Sequence, residues 1–220
     1  MTEGSVEVGL SGERLIVDPD RALIWPAQRT AFIADLHLGK GEIFRRAGIP
    51  IPEGTTQTDL QRITRLTADH GLQRVVLLGD FLHGASKGRA THLQMFSEWR
   101  AEHPELEFIV VAGNHDRRAA GRELAHCVQW QTEGYVLGPF ACCHHPCAIE
   151  ARYVLSGHIH PVLFLRGSHR ERVRVPVLWV QPHCAVLPSF GSFTGGAVIE
   201  PGERDEIYAI AAGRVWRVPA

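Results

Sequence analysis

Short apolar runs, each ending in a polar or metal-binding side chain, set the rhythm of the first three quarters of the chain. TAFIA (30–34) runs into Asp35, VVLLG (75–79) into Asp80, FIVVAG (108–113) into Asn114 and YVLSG (153–157) into His158. Runs this short read as buried strands, and in sheets covered by helices the strand tips carry the chemistry. Between them the period changes. Leu60, Ile63, Leu66 and Thr67 form one stripe of a helix that starts at Thr55 or Thr56, reaches His70 and stops at Gly71. A second helix over about 90–103 turns Leu93, Phe96 and Trp99 inward and is closed by Pro104; a short one falls near 118–126. Residues 14–17 and 22–25 form a hairpin around Asp18-Pro19-Asp20, and 41–55, with its glycines and prolines, reads as an extended loop. Later segments at 134–144, 152–156, 162–166, 172–181, 184–187, 196–200, 207–211 and 214–218 read as short strands. A βαβα first half followed by a mostly β second half predicts two packed sheets flanked by helices.

Composition narrows the class without naming an activity. A chain of 220 residues, 45% hydrophobic and 21% charged, suits one globular domain over residues 1–220. Its net charge of −1 supplies no global basic field, so contact with nucleic acid has to be local. Five cysteines, an odd number without a CxxC pair, argue against a disulfide framework and for a reducing, cytoplasmic setting. Neither a leader nor an 18-residue apolar run is visible, so the expectation is a protein that is not exported and does not span a membrane. Cys142, Cys143 and Cys147 surround His144, but such cysteines are more often small buried hydrophobes than thiolate ligands.

The polar blocks run Asp35-Leu36-His37, Gly79-Asp80, Gly113-Asn114-His115-Asp116, His144-His145 and Gly157-His158-Ile159-His160. Carboxylate, imidazole and amide oxygen suit Mn²⁺, Fe or Zn²⁺. Two divalent ions about 3.5–4 Å apart need a bridging anion, and together they polarise a phosphoryl oxygen and activate water. Asp80 is the natural bridge. Asp35 and His37, two apart on an extended tip, share a side and can chelate one ion; His158 and His160 have the same spacing and can face one way while reaching different ions. Asn114 adds a neutral oxygen. His115 alternates away from Asn114 and is placed to protonate a leaving oxygen, with Asp116 to hold its tautomer. His145 and Ile159 are spacers. His70, His92, His103, His126 and His169 lie on expected helices or an arginine-rich stretch and read as solvated. His83 stands close enough to Asp80 to touch a ligand or the substrate.

These five blocks, D-x-H, GD, GNHD, H and GHxH, resemble the calcineurin-like metallophosphoesterase superfamily, from about Thr30 to His160. The resemblance implies a four-layer αββα sandwich of two mixed β-sheets. It implies Asp35, His37, Asp80 and His160 as ligands of one ion and Asp80, Asn114, His144 and His158 as ligands of the other, with His115 as general acid. A narrower likeness rests on ADLHLGKG (34–41), RRAGIPIP (45–52) and LPSFGSFTGG (187–196), which are similar to the bacterial ligase-associated DNA damage response endonucleases. That likeness implies a Mn²⁺-dependent phosphodiesterase working alongside a DNA ligase, a DEXH-box helicase and a second nuclease, and a possible homodimer as in repair nucleases.

Substrate contacts are expected from Lys40, Arg45 and Arg46 after the first tip, from His83, and from Arg117 and Arg118 after the acid. Arg166, Arg170, Arg172 and Arg174, offset only by Glu171, could track a nucleic-acid backbone, with Phe44 and Phe81 as stacking platforms. The two readings that follow are a phosphodiesterase or endonuclease on single-stranded DNA or RNA, and a small-molecule phosphoesterase acting on cyclic nucleotides, nucleotide pyrophosphates or monoesters. A non-catalytic scaffold fits less well, because every ligand position is filled.

Overall fold

A computed structural model describes residues 2–83, 91–116, 124, 126–166, 172–192 and 194–219. The expected helix near 118–126, apart from Leu124 and His126, lies outside the described residues, as do Arg117, Arg118, His169, Arg170, Glu171 and the side chain of Arg166.

One sheet is laid down in sequence order: β1 (Val6–Leu10), β2 (Glu13–Asp18), β3 (Ala22–Trp25), β4 (Thr30–Ile33), β5 (Arg74–Leu78), β6 (Glu107–Val111) and β7 (Gln129–Gln131). The first four pair antiparallel through hairpins, and β4 to β7 pair parallel. Parallel neighbours need crossovers. That from β4 to β5 holds α1 (Lys40–Arg46) and α2 (Thr55–His70), and that from β5 to β6 holds α3 (Thr91–Glu102). Period-two alternation sorts the side chains of the central strands. Ala31, Ile33, Val75, Leu77, Phe108 and Val110 face Leu60, Ile63, Leu66, Phe96 and Trp99 of the helices. Phe32, Val76, Leu78, Ile109 and Val111 face the other way, into the core between the sheets.

The second sheet is built from β8 (Tyr135–Leu137), β9 (Phe140–Cys142), β10 (Tyr153–Ser156), β11 (Pro161–Arg166), β12 (Arg172–Val180), β13 (Cys184–Val186), β14 (Ala197–Val198), β15 (Glu206–Ala211) and β16 (Arg214–Val218). Its order is β14-β11-β12-β13-β10-β9-β8, with β15 also on β12 and β16 on β15. β10 pairs parallel with both β9 and β13. Phe140, Leu155, Leu178, Ala185 and Tyr208 fill the inter-sheet core from this side. Two mixed sheets thus pack face to face, with the helices outside the first. Among the described residues the outer face of the second sheet is covered by loop side chains such as Ile149, Ile159 and Ile199 rather than by a helix.

Several local expectations change. Residues 40–46 are a helix rather than part of an extended loop: Glu42 sits in its first turn, Arg45 and Arg46 in its last, and Arg46 pairs with Glu42. The stretch 134–144 divides at Gly138-Pro139 into the antiparallel pair β8 and β9. β1 and β7 are additional strands, and only Ala197–Val198 of 196–200 is strand. His70, His92 and His103 are not solvated: they bond Asp18, Glu42 and the Trp99 carbonyl. Phe81 is fully buried against Phe96 and Phe108, so it cannot stack on a base.

Candidate metal centre

Asp35 and His37 follow β4, Asp80 follows β5, Asn114 to Asp116 follow β6, His144 follows β9, and His158 and His160 follow β10. The C-terminal tips of parallel strands from both sheets therefore deliver these side chains to one place. The backbone there is unusual. Asp35, His37, Asp80, His158 and His160 all have positive φ, at 52°, 49°, 47°, 70° and 52°. Each such non-glycine residue costs about 1–2 kcal/mol and persists only where its surroundings hold it.

The side chains form two clusters. In the first, His37 Nε2 lies 3.4 Å from His160 Nε2, which lies 3.3 Å from Asp35 Oδ1. In the second, His144 Nε2 lies 2.9 Å from Asn114 Oδ1 and 3.0 Å from His158 Nδ1. Asp80 stands between them, with Oδ2 3.9 Å from His37 Nε2 and Oδ1 3.5 Å from His144 Nε2. Two ligand atoms each about 2.1 Å from one ion lie about 3.0–3.4 Å apart at octahedral or tetrahedral angles. Both clusters match that spacing. Asp35 gives a second test: its carboxylate is fully buried and Oδ2 accepts the His158 N–H at 2.9 Å, yet Oδ1 has no hydrogen-bond partner. A bare buried carboxylate oxygen is costly, and a cation at that point removes the cost. The donor set therefore fits divalent ions.

Hydrogen bonds on the far ring nitrogens orient the imidazoles. His144 Nδ1–H donates to the Leu78 carbonyl at 3.3 Å and His160 Nδ1–H to the Gly195 carbonyl at 3.1 Å, leaving both Nε2 lone pairs free. Gly79 has to be glycine: its φ is 80° and a Cβ there would sit 2.0 Å from His144 Nδ1. Burial first, then Lys40 and the neighbouring imidazoles, pushes His37 down to about 2, so it is neutral and able to ligate. His83 is pushed down to about 4 by burial, Lys40 and His115, and its Nδ1 lies 3.4 Å from His37 Nδ1.

His115 stacks on His83 at 5.1 Å between centroids, its side chain is 40% exposed, and its Nε2 lies 3.9 Å from Asp80 Oδ2. Asp116 does something different from the expected support of His115. Its carboxylate accepts the backbone N–H groups of Phe81, Leu82 and Gly113 at 3.2, 2.9 and 2.9 Å, so it ties the loop after β5 to the loop after β6. His145, expected to be a spacer, lies against the His158 ring at 4.4 Å and is bonded to Glu133 at 2.8 Å.

Of the expected substrate contacts, Lys40 is half-buried and near enough to Asp35 and Asp80 to feel their charge. Arg45 donates to the Pro52 carbonyl at 2.8 Å and Arg46 to Glu42 at 2.6 Å, so both hold α1 and its following loop. Arg117 lies outside the described residues. Cysteine takes no part: burial pushes the Cys143 thiol up to about 12, and the candidate metal-binding groups among the described residues contain none.

One supporting segment was visible in the sequence only as a glycine-rich motif. Residues 189–192 run alongside the first ligand loop as a strap. Ser189 Oγ–H donates to the Asp35 carbonyl at 2.8 Å, Phe190 N–H to Ala34 at 2.7 Å and Gly191 N–H to Asp35 at 3.2 Å. Gly191 leaves no space for a side chain, since a Cβ would lie 2.2 Å from the Leu36 carbonyl oxygen. Arg62 of α2 stacks on the Phe190 ring at 3.9 Å and donates to its carbonyl at 2.7 Å, while Asp59 accepts Ser192 N–H and Oγ–H at 3.0 and 2.8 Å.

Comparison with known proteins agrees with this arrangement. Residues 28–146 match the model of the calcineurin-like phosphoesterase family. The solved nuclease MPE of Pseudomonas putida is 36% identical over 97% of this chain and 100% of its own, with a TM-score of 0.85. The phosphoesterase Yfce from E. coli is similar at 14% identity over 86% of this chain and 97% of its own, with a TM-score of 0.45. No curated protein matches the chain. With a family match over more than half its length and a full-length structural relative, this chain belongs to the calcineurin-like phosphoesterases and is a metal-dependent hydrolase of phosphoesters.

Proposed function

We propose that this chain is a two-metal phosphodiesterase that cuts single-stranded DNA or RNA. The observation that carries the reading is Asp80, whose two oxygens face the two imidazole clusters separately. Asp35, His37, Asp80 and His160 would hold one ion, and Asp80, Asn114, His144 and His158 the other. Hard oxygen and imidazole donors favour Mn²⁺, with Fe or Zn²⁺ as alternatives. Two such ions supply Lewis acidity and a nucleophile at neutral pH. The chain's own groups do the rest. His115, exposed at the edge of the clusters and stacked on His83, donates a proton to the leaving oxygen. Lys40, beside Asp35 and Asp80, balances their negative charge and attracts the phosphate.

The nucleic-acid substrate is supported by the full-length likeness to a nuclease. A role in DNA repair with a ligase and a helicase, and a homodimer, rest on the motifs at 34–52 and 187–196. Five free cysteines suit a reducing cytoplasm, and no helix among the described residues is long and apolar enough to cross a membrane. Residues 1–220 act as one domain in this reading. The test is a set of parallel Mn²⁺ digests of a single-stranded oligonucleotide, a cyclic nucleotide and a phosphomonoester. Cleavage of the oligonucleotide is the expected result; monoester turnover with an intact oligonucleotide would replace this reading with the small-molecule one.

A further inference from the structure

A cavity of about 190 Å³ opens beside the metal centre, with His160 in its wall. Arg21, Arg174, Ser189 and Thr194 also line it, and no acidic residue does. Its two arginines differ from the arginine next to them. Arg62 uses four of its five donors: it reaches Asp20 and Asp59 at 3.1 Å each and donates to the carbonyls of Phe190 and Asp20. Asp20 and Asp59 lie near enough to Arg21 to act on its charge, but their direct bonds go to Arg62. Arg21 is left with one hydrogen bond, to the Ser189 carbonyl at 3.3 Å, and no ion pair among the described residues. Arg174 likewise donates to the Gly196 carbonyl and pairs with no carboxylate among the described residues. A guanidinium has five N–H donors, so most of each fork is available to a ligand. Arg21 is half-buried, and its burial lowers its pKa despite the nearby charges of Asp59 and Asp20, whereas Arg174 is exposed at the mouth; an anion in the cavity would add charge-assisted bonds to both.

The geometry points to a phosphate subsite: Arg21 and Arg174 grip the phosphodiester next to the one being cut. The assignment rests on the phosphodiesterase reading above. His160 links the two places, since its Nε2 faces Asp35 at 3.3 Å while the same residue forms part of the cavity wall. A strand with one phosphate at the metal centre brings a neighbouring phosphate to this wall. The cavity is smaller than the roughly 300–1,000 Å³ typical of sites for drug-sized ligands, so it admits a phosphate group rather than a whole nucleotide. Ser189 and Thr194 also line the wall, but their hydroxyls already donate to the Asp35 and Gly191 carbonyls at 2.8 and 3.0 Å, so the two guanidinium groups supply the donors. Occupancy of the subsite therefore registers the strand against the centre.

Binding without metal separates this inference from cleavage. Fluorescein-labelled oligothymidylate is titrated with metal-free protein in chelator, across a salt series, for the wild type, Arg174→Gln, Arg174→Lys and Arg21→Gln. The subsite predicts about tenfold weaker binding for each Gln variant, a slope of log affinity against log salt shallower by about 0.7 per arginine lost, and a restored slope in Arg174→Lys. A calorimetric Mn²⁺ titration of each variant checks that the neighbouring centre is intact. Wild-type affinity and slope in both Gln variants would overturn the subsite, as would losses that appear only together with loss of Mn²⁺ binding. A protein that binds the strand in this way but leaves it uncut with Mn²⁺ would overturn the phosphodiesterase reading alone.

Discussion

His144 is held by the first sheet, whereas Asp35 and His160 lean on a segment from late in the chain. His144 is fixed by a carbonyl of β5 and by the lack of space at Gly79. The loop holding Asp35 depends on Ser189, Phe190 and Gly191, some 154 residues away, and His160 donates to Gly195 of the same stretch. That stretch is in turn pinned to α2 through Arg62 and Asp59. Two sites of similar chemistry thus have different supports. One is formed once the sheets have folded; the other also requires the 187–196 segment to be seated. Damage to that segment should therefore reach one ion before the other.

The largest effect should come from removing what the clusters share. Asp80→Asn keeps the shape but removes the anion facing both sets, so Mn²⁺ titration should show both sites weakened and turnover should fall on the order of 10³-fold. Loss of a single site would mean that Asp80 does not bridge. Gly191→Ala forces a Cβ against the Leu36 carbonyl and should weaken Mn²⁺ binding about 10–100-fold at the Asp35–His37–His160 cluster while sparing the other. Equal weakening of both would erase the asymmetry.

The pattern of apolar runs revealed the tips at Asp35, Asp80, Asn114 and His158 because strand burial and ligand chemistry are both local. It also placed α2 within a residue, since its stripe and the Gly71 stop are local too. The helix at 40–46 was hidden by glycines and prolines around it, and its order depends on tertiary partners such as His92 on Glu42. Asp116 departs from its expected role for a related reason. Adjacency suggested His115 as its partner, but its oxygens face three backbone N–H groups that only the folded loops bring together. Arg21 gave no signal at all: its cavity is assembled from segments distant in sequence.

Smaller effects refine the comparison. His37 titrates at about 2 in the folded chain against about 6.5 when unfolded. Above about pH 6.5 both states are neutral there and nothing is gained or lost. Below it the unfolded state takes up a proton that the folded state refuses, so stability falls by up to about 1.4 kcal/mol per pH unit. Urea midpoints of metal-free protein at pH 7 and 5 should show this slope, and His37→Asn should make it shallower, with His83 supplying part of the remainder; an equal slope in the variant would remove His37 as a source. At position 158, where φ is 70°, Gly should be more stable than Ala by about 1 kcal/mol in thermal unfolding without metal, because only Ala carries the left-handed penalty. Ala matching Gly would show that the backbone relaxes once the imidazole is gone.

The central claim is that two ion sites share Asp80 but rest on separate supports. Calorimetric titration of Mn²⁺ into metal-free wild type and Ser189→Ala tests it most directly. Ser189→Ala removes one buried hydroxyl bond to the Asp35 carbonyl and touches neither ligand side chain. The prediction is two ions in the wild type and, in the variant, one site about tenfold weaker with the other unchanged. One ion in the wild type, or two sites weakened in step, would contradict it.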